Sequence, residues 1–328
     1  MDPMASPFPT YRDTPGWHRY RQLVQTCFGI TIRAEPDERQ LLWEGHGIHL
    51  DVWDPTVSPA GSCGTVVLVH GGGGHGRLLA PAADQLADLG WRVIAPDLPG
   101  YGLTQVAKGW DWDYAAWPRL VAHVADRAAS ESDGPVVLIG FSVGGMTALG
   151  AAQLARRVDA VVATTLLDMS DPATFDRAAR WPWLGRLARL SGQVAPWLVD
   201  PVRMPLSWLA PLAALTTAPE LQRYFASDPL LGRLRVPGRF FRTLHGWQPP
   251  AGDLSLTCPF LLLHPGADQW TPTAMSLPAY DRVKAPKRLR ELTNGAHLPL
   301  EQPAWTELRD EILATLKSLE ANGSRIEV

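Results

Sequence analysis

Short apolar runs and helical stretches alternate along most of the chain. Apolar runs, many with β-branched side chains, predict strands at 65–69, 91–95, 135–139, 160–166, 260–264 and 288–292. The stretches that follow them predict helices at 77–89, 114–129, 144–155, 273–283 and 303–319. Asp113 is expected to cap the second of these helices. Because such alternation is typical of a parallel sheet covered on both faces, we predict an α/β fold with a mostly parallel, doubly wound sheet.

The alternation stops between residues 170 and 255. This segment holds five tryptophans, eleven prolines, ten arginines and no lysine, and no apolar run in it predicts a strand. Its amphipathic stretches, such as 183–190 and 213–225, predict helices separated by prolines. We expect a helical lid over the carboxyl edge of the sheet, where ligands bind in open α/β folds. Its tryptophans and leucines are expected to form an apolar pocket, while its arginines either favour an anionic ligand or form a solvated surface.

Composition divides the chain into three parts. We predict an N-terminal extension, an α/β core in two pieces and a lid, at residues 1–40, 41–169 with 256–328, and 170–255. The extension is rich in proline and charge, and apolar residues recur in it at helical spacing from Trp17 to Phe28. Such a stripe either packs on its own domain, which we expect, or binds a membrane surface or a partner.

Charge and cysteine content narrow the class of protein. A chain of 328 residues with a formal net charge of −3 lacks the basic footprint that nucleic acid needs. No apolar run reaches the roughly 18 residues of a membrane span, and the first ten residues, with Asp2 and three prolines, do not resemble a secretory signal. Three separated cysteines without metal or redox spacing indicate free thiols. We expect a cytoplasmic protein without a transmembrane segment, and the sequence is compatible with a homodimer.

The glycine-rich loop at 71–76 supports two interpretations. Gly71, Gly73 and Gly76 have the G-x-G-x-x-G spacing of a dinucleotide site, and Asp97 follows at about the distance of a ribose-binding acid. The same loop can instead present backbone N–H groups to an oxyanion, because glycines leave the approach unobstructed. A phosphate-binding P-loop is excluded, since Arg77 stands where that motif requires lysine.

Ser142 is the candidate nucleophile. It lies in the sequence GFSVG at 140–144, directly after a predicted strand and directly before a predicted helix. A strand-to-helix turn this sharp needs small residues two positions before and after the serine, and it raises the hydroxyl above the end of the sheet. The serine then lies at a helix N-terminus, where developing negative charge is stabilised.

A serine hydroxyl needs a base to remove its proton, and the base needs an acid to orient it. His297 lies between the last predicted strand and the last helix, at the edge of the sheet where Ser142 is expected. Asp268 follows the predicted strand 260–264 and reaches the same edge, and it is favoured over Asp168, which follows an earlier strand. A serine, an acid and a histidine in this order at three strand ends outweigh the dinucleotide interpretation of the glycine loop.

Over about residues 41–320 the sequence resembles the α/β-hydrolase superfamily, in particular carboxylesterases and monoacylglycerol lipase-like members. The matching motifs are HGG at 70–72, DLPGYG at 97–102, GFSVG at 140–144, GAD at 266–268 and GAHLP at 295–299. The resemblance implies an α/β-hydrolase fold with a lid after the sixth strand, and an oxyanion hole formed by the N–H groups of Gly72 and Val143. The segment ASDPL at 226–230 is similar to the lid of lysophospholipase-like members. Phe141 departs from the histidine that relatives often have before the serine.

These features predict a serine hydrolase that cleaves small-molecule carboxylic esters with an apolar acyl group through an acyl-enzyme on Ser142, without a metal or a cofactor. C–C bond hydrolases and acyltransferases use the same constellation and stay open as alternatives. A non-catalytic binding protein is also open, although an intact triad argues against it. Epoxide hydrolases and haloalkane dehalogenases are disfavoured because they need an aspartate at the position of Ser142. An aminopeptidase is disfavoured because it needs acids to hold a free amine, and Glu220 is the only glutamate of the lid.

Overall fold

The computed structural model describes residues 8–55 and 63–323. Eight strands of these residues form one sheet, and two short strands form a separate ribbon. The strands are β1 (Asp37–Trp43), β2 (His46–Trp53), β3 (Thr65–Val69), β4 (Arg92–Pro96), β5 (Val136–Gly140), β6 (Ala160–Ala163), β7 (Arg203–Pro205), β8 (Arg235–Pro237), β9 (Phe260–Pro265) and β10 (Lys287–Leu292). The large sheet has the order β1-β2-β4-β3-β5-β6-β9-β10 and is parallel except around β2, which pairs antiparallel with β1 and β4. The predicted, mostly parallel sheet is therefore confirmed.

Helices cover both faces of this sheet. They are α1 (Pro15–Phe28), α2 (Ala80–Asp88), α3 (Ala116–Glu131), α4 (Val143–Leu154), α5 (Pro172–Ala178), α6 (Pro182–Val194), α7 (Pro196–Val199), α8 (Leu206–Leu209), α9 (Pro219–Ser227), α10 (Gly238–Gly246), α11 (Thr273–Arg282) and α12 (Ala304–Gly323). Two 3-10 helices, Gly76–Leu79 and Leu212–Leu215, precede α2 and α9. The elements from α5 to α10, which include β7 and β8, form a helical segment between β6 and β9, which we call the insert.

The central strands are buried on both faces. In β3 all five residues are buried, and successive side chains alternate between two apolar layers. Val67 and Val69 belong to the layer that contains α3 and α4, whereas Val66 and Leu68 belong to the layer of α1, α2 and α12. A strand covered on both sides has a continuous apolar sequence, which is why its position could be predicted.

Three elements differ from the prediction. The helix α3 begins later than expected and Asp113 does not cap it, because its carboxylate accepts a hydrogen bond from the backbone N–H of Ala115 in the turn before the helix. The helix expected at 213–225 is split, since α9 begins at Pro219 and proline cannot continue a preceding helix. The insert contains the paired strands β7 and β8, which at three residues each are too short to give a sequence pattern.

The N-terminal part of the chain packs on the sheet. In α1 the buried residues are Trp17, Tyr20, Leu23 and Val24, and they lie in the apolar layer shared with α2 and α12. The first strand begins at Asp37, before the predicted boundary at residue 41, because β1 pairs with β2 as the edge strand of the sheet. The N-terminal segment is thus joined to the fold by a helix and by a strand.

Two further expectations concern the membrane and the cysteines. Among the described residues, no helix combines the length and the hydrophobicity that a membrane-spanning segment needs. Cys27, Cys63 and Cys258 form no disulfide within this part of the chain. The first seven residues, on which the secretory-signal interpretation depends, lie outside the described residues.

Candidate active site

Ser142 lies in a sharp turn between β5 and α4. Its backbone has φ of +56° and ψ of −133°, and such a conformation costs an L-residue about 1–3 kcal/mol. A Cβ at Gly140 would collide with the carbonyl of Gly144, and a Cβ at Gly144 would collide with the carbonyl of Val69. Because glycine has no Cβ, the backbone at these two positions can approach closely enough to form the tight turn. The turn puts Ser142 at the carboxyl edge of the sheet.

The structure brings Ser142, His297 and Asp268 together from three separate loops. Ser142 Oγ lies 2.8 Å from His297 Nε2, and His297 Nδ1 lies 2.7 Å from Asp268 Oδ2. Because a carboxylate only accepts, Nδ1 carries a proton, and Nε2 of the neutral ring accepts the hydrogen bond from the serine hydroxyl. His297 and Asp268 are buried, and the Trp270 ring packs on the imidazole with ring centroids 4.6 Å apart. This arrangement is able to remove a proton from Ser142 and to stabilise the resulting imidazolium.

Asp268 is held as a carboxylate by its own loop. Oδ1 accepts the backbone N–H groups of Trp270 and Thr271 at 2.8 and 2.9 Å, and Oδ2 accepts the Thr271 hydroxyl at 2.8 Å. Burial alone would raise the pKa of Asp268, but the adjacent His297 and the hydrogen bonds from Thr271 outweigh burial and lower it. Sequence reasoning missed Thr271, although an aspartate followed by backbone and hydroxyl donors within three residues is typical of an Asx turn.

Asp168, the alternative acid, is engaged elsewhere. Its carboxylate accepts hydrogen bonds from Ser170 Oγ at 2.6 Å and from Arg282 Nη1 at 2.7 Å. Burial alone would raise the pKa of Asp168, but these two partners lower it. Asp168 therefore forms an ion pair with α11, whereas Asp268 contacts His297.

Gly72 and Val143 line the same cavity as Ser142. Val143 is the first residue of α4, so its N–H has no acceptor within the helix. A Cβ at Gly72 would meet no atom within 4 Å, which means that the space beside this residue opens to the cavity. Both residues thus border the cavity beside Ser142, and donation of their N–H groups to an oxyanion stays a prediction.

His70 supports the glycine loop. Its Nδ1 lies 2.8 Å from the carbonyl oxygen of Gly71, and its Nε2 accepts the backbone N–H of Leu98 at 3.0 Å. These partners assign the proton to Nδ1, since a carbonyl only accepts. Burial lowers the pKa of His70, so the ring stays neutral. His70 therefore fixes the backbone next to Gly72.

Asp97, which a dinucleotide site would use to bind ribose, is fully engaged with the protein. Its Oδ1 accepts the N–H of Gly76, and its Oδ2 accepts the N–H of Leu103 and the hydroxyl of Tyr11, each at 2.7 Å. The carboxylate is completely buried among these donors. Asp97 thus ties the glycine loop to the following turn and to the N-terminal segment, and this use argues against the dinucleotide interpretation.

A buried group of charges lies beside the same loop, and sequence reasoning missed it. Sequence spacing indicates no metal partner for His49, but the antiparallel pairing of β1 and β2 sets Glu38 opposite Asp51. Ligand atoms of Glu38, His49 and Asp51 lie within 4.8 Å of one another. Arg77 makes two hydrogen bonds of 2.7 Å to Asp51 and lies 3.1 Å from Glu38. Because the guanidinium balances the carboxylates, the group is better described as an ion-pair network than as a cation site.

The network shifts the pKa values of its acids in opposite directions. Burial raises the pKa of Asp51 to about 6, even though Arg77 opposes that shift. Burial would also raise the pKa of Glu38, but the hydrogen bond with His49, the charge of Arg77 and two backbone N–H groups lower it to about 2. Glu38 therefore stabilises the fold only while it is ionised.

An apolar cavity extends from Ser142 beneath the insert. The side chains of the insert that line it include Phe175, Leu184, Leu206, Leu209, Phe240 and Leu244. Tyr101, Trp117 and Trp270 of the core complete the wall. No acidic side chain is among the described residues that line the cavity.

The tryptophans of the insert do not line this cavity, so that part of the prediction is wrong. Trp181, Trp183, Trp197 and Trp208 are 47% to 77% exposed, and Trp247 packs against Tyr114 with ring centroids 5.5 Å apart. The cause is visible in α6, whose residues Leu184 and Ala188 line the cavity while the neighbouring Trp183 and Leu187 face away from it. Four leucines of the insert do line the cavity, namely Leu184, Leu206, Leu209 and Leu244.

Most of the chain matches the sequence pattern of a known protein family. The family described as serine aminopeptidase, S33, matches residues 60–303. A lipase of Mycobacterium tuberculosis, LipV, is 35% identical over 119 residues, which are 36% of this chain and 42% of that protein. A probable protein phosphatase methylesterase of Caenorhabditis elegans is 33% identical over 107 residues, which are 31% of this chain and 29% of that protein. The chain therefore spans less than half the length of these curated relatives.

Solved structures align with a larger part of the chain than the curated relatives do. A soluble variant of monoglyceride lipase from Saccharomyces cerevisiae, in complex with a substrate analogue, aligns with a TM-score of 0.72. The alignment covers 88% of this chain and 96% of that chain, at 17% sequence identity. At this identity the likeness establishes the α/β-hydrolase fold of the chain.

Proposed function

The chain belongs to the serine aminopeptidase S33 family of α/β-hydrolases, and within this family we propose that it cleaves carboxylic esters through an acyl-enzyme on Ser142. The observation that carries the proposal is the series of short contacts from Ser142 Oγ through His297 to Asp268, beside an apolar cavity. Relatives that are a lipase and a probable methylesterase support ester hydrolysis as the class of reaction.

The proposed reaction depends on which nitrogen of His297 carries the proton, because Nε2 must be free to accept the proton of Ser142. Ser142 Oγ attacks the ester carbonyl carbon while His297 Nε2 takes the hydroxyl proton, and the N–H groups of Gly72 and Val143 donate to the oxyanion. His297 then gives this proton to the alcohol oxygen as the carbon–oxygen bond breaks, which leaves Ser142 acylated. Water deprotonated by the same Nε2 then attacks the acyl carbon. The bond from this carbon to Ser142 Oγ breaks, Nε2 returns the proton to Oγ, and the acid is released. Asp268 holds the proton on Nδ1 throughout and balances the imidazolium.

The cavity favours an apolar acyl group. Its lining is dominated by leucine, phenylalanine, tryptophan and alanine side chains, and transfer of an alkyl chain from water into such a lining is favourable by about 0.8 kcal/mol per methylene. Two arginines also line the cavity, but their charges are balanced, because Arg189 pairs with Asp176 and Arg242 pairs with Asp200. The preference of the cavity for an apolar group is therefore unchanged. Among the described residues that line the cavity, no arginine or lysine is left unpaired to bind an anionic substrate.

The same lining argues against peptide substrates with a free amino terminus. An ammonium group needs a carboxylate or several acceptors to replace its water, and the described lining residues include no acid. Asp176 and Asp200, which contact the lining residues Arg189 and Arg242, are already paired with these arginines. We therefore assign the chain to the ester-cleaving branch of a family that is described by a peptidase name.

The test combines covalent labelling with kinetics. A fluorophosphonate probe is expected to label the wild type and to leave the Ser142→Ala variant unlabelled, and kcat of that variant is expected to fall by about 10⁴ or more. With p-nitrophenyl esters of increasing chain length, kcat/KM is expected to rise from acetate towards medium-length acyl groups, since each added methylene enters the apolar cavity.

Different results contradict different parts of the proposal. Absence of labelling in the folded wild type would contradict catalysis by Ser142. Labelling together with a maximum at acetate would keep the chemistry and contradict the apolar acyl group. Accumulation of a new ester in the presence of an added alcohol, with little free acid, would indicate acyl transfer in place of hydrolysis.

A further inference from the structure

The insert exposes an unusual amount of apolar surface. Among the described residues, nine of the fourteen strongly exposed large apolar side chains lie between residues 181 and 208. They are Trp181, Trp183, Leu187, Leu190, Val194, Trp197, Leu198, Val202 and Trp208. We call this set the outer face. Clustered apolar side chains of this size on a protein surface mark a contact with a partner or with lipid, because their exposure to water is unfavourable.

Helix α6 separates the outer face from the cavity. Trp183, Leu187, Leu190 and Val194 follow one another at intervals of three or four residues and form one side of the helix. Leu184 and Ala188, on the other side, line the cavity next to Ser142. The helix is therefore apolar on two sides, of which the protein covers only the inner one.

The charged residues beside the outer face are mostly arginines. Residues 177–208 contain five arginines and a single acid, Asp200, in a chain whose net charge is −3. Asp200 is neutralised by Arg239 and Arg242, which come from α10. Arg177 and Arg186 are exposed and form no ion pair with any described residue. This surface is thus locally cationic on a protein that is acidic as a whole.

Arg186 and the tryptophans have the geometry of an interfacial site. Arg186 lies three residues after Trp183 and four residues before Leu190, so it stands on the same side of α6 as the outer face. Arg180 lies over the ring of Trp181, 5.0 Å from its centroid. Tryptophans prefer the boundary between lipid and water, and exposed arginines bind lipid phosphates there.

We propose that the outer face docks on a phospholipid surface that contains anionic lipids, with the tryptophans in the headgroup region and Arg177 and Arg186 on phosphates. A second copy of the chain fits this face less well, because a symmetric contact would bring the unpaired arginines of both copies together. The inference goes beyond the proposed ester cleavage and does not depend on it, since docking uses no group of the cavity.

Vesicle flotation tests the proposal with the complete chain. The wild type is expected to float with phosphatidylcholine vesicles that contain phosphatidylglycerol, and to bind pure phosphatidylcholine much more weakly. Binding is expected to fall about tenfold or more in Trp183→Ser/Trp197→Ser. In Arg177→Gln/Arg186→Gln it is expected to fall about fivefold for each arginine.

Two controls keep the proposal distinct from folding and from catalysis. Leu42→Ser removes an exposed apolar side chain of β1, outside the outer face, and is expected to bind like the wild type. Ser142→Ala is expected to bind vesicles fully, so a failure of the proposed chemistry leaves this result intact. Circular dichroism and fluorophosphonate labelling report whether the outer-face variants are folded.

Three results would overturn the proposal. The first is a wild type that does not float with anionic vesicles, and the second is folded outer-face variants that bind as well as the wild type. The third is a dimer, measured by light scattering, that dissociates in Trp183→Ser/Trp197→Ser, because a second copy would then cover the face.

Discussion

Glu301 connects the loop that carries His297 to the insert. Its Oε2 accepts the backbone N–H of Ala296 at 3.1 Å, and its Oε1 accepts the backbone N–H and the hydroxyl of Thr217, both at 2.9 Å. The side chain is buried, so these contacts are shielded from water. Because Ala296 directly precedes His297, we predict that the carboxylate of Glu301 positions the imidazole relative to Ser142.

Replacement of Glu301 by glutamine keeps the size of the side chain and removes one acceptor. The amide has a single oxygen, so its NH₂ group must face either the N–H of Ala296 or the donors of Thr217. A buried backbone N–H without an acceptor costs about 1–3 kcal/mol, and we expect the free energy of unfolding to fall by about 2 kcal/mol. A shift of His297 by about 1 Å lowers kcat by about a hundredfold, and the expected loss is about tenfold to a hundredfold.

The assay compares Glu301→Gln with a matched variant, Glu307→Gln. Glu307 accepts the backbone N–H of Thr293 at 2.7 Å, near the start of the same loop, and within the described part of the chain it makes no hydrogen bond with the insert. Urea denaturation gives the unfolding free energy of each variant, and p-nitrophenyl ester hydrolysis gives kcat and KM at a temperature where both are folded. We expect both variants to lose stability and only Glu301→Gln to lose kcat, with KM nearly unchanged.

A positioning role of Glu301 is refuted if Glu301→Gln loses stability and retains the kcat of the wild type. Glu301 would then be a structural residue without influence on His297. An equal loss of kcat in both variants would also refute it, since the effect would come from general loosening of the loop and not from its link to the insert.

Three further predictions concern single residues. Asp268→Asn is expected to lower kcat by about 10⁴, because an asparagine favours the wrong tautomer of the histidine, while Asp168→Asn is expected to leave kcat within about threefold; equal effects in the same kinetic assay would reopen the choice of acid. Gly144→Ala is expected to destabilise the fold by more than about 3 kcal/mol or to prevent folding, because its Cβ would collide with the carbonyl of Val69, and thermal unfolding measures this. Glu38 has a pKa lowered to about 2 from 4.5, so its contribution to stability, roughly 3 kcal/mol, is present above about pH 4.5 and is lost as the pH falls towards 2. Unfolding free energies of Glu38→Gln and the wild type should therefore converge at acidic pH, and a constant difference would contradict the assigned cause.

The parallel strands could be predicted from sequence because burial on both sides makes them continuously apolar. The hairpin of β1 and β2 could not, since its buried residues include His49 and Asp51, which interrupt any apolar pattern. Glu44 and Gly45 form the turn and both have positive φ, at 44° and 78°. The glycine at the second turn position was the one sequence signal, because two-residue hairpin turns favour glycine there. The ion-pair network of Arg77 depends on this hairpin, because the pairing of β1 with β2 brings Glu38 and Asp51 together. Without the hairpin the network could not be predicted.

The positions of Ser142, Asp268 and His297 could be predicted because each follows a strand that ends at the same edge of the sheet. Their distances depend on loop conformations that no spacing rule describes. The contact of Glu301 with Thr217 was out of reach for the same reason, since it joins residues 84 positions apart through the fold of the insert. Supporting residues of this kind become visible only when the backbone is known.

The structure of α6 explains why the tryptophans of the insert were wrongly expected to line the cavity. The same helix connects the proposed ester cleavage with the proposed lipid docking. Its buried residues are Gly185 and Gly192, and a Cβ at Gly185 would lie 2.6 Å from Cα of Asp176. A helix that packs through glycines and is apolar on two sides has no sequence feature that tells the inner side from the outer one. A lipid surface that binds the outer face would contact the same helix whose inner side lines the cavity beside Ser142, so the proposed docking and the proposed ester cleavage meet at α6.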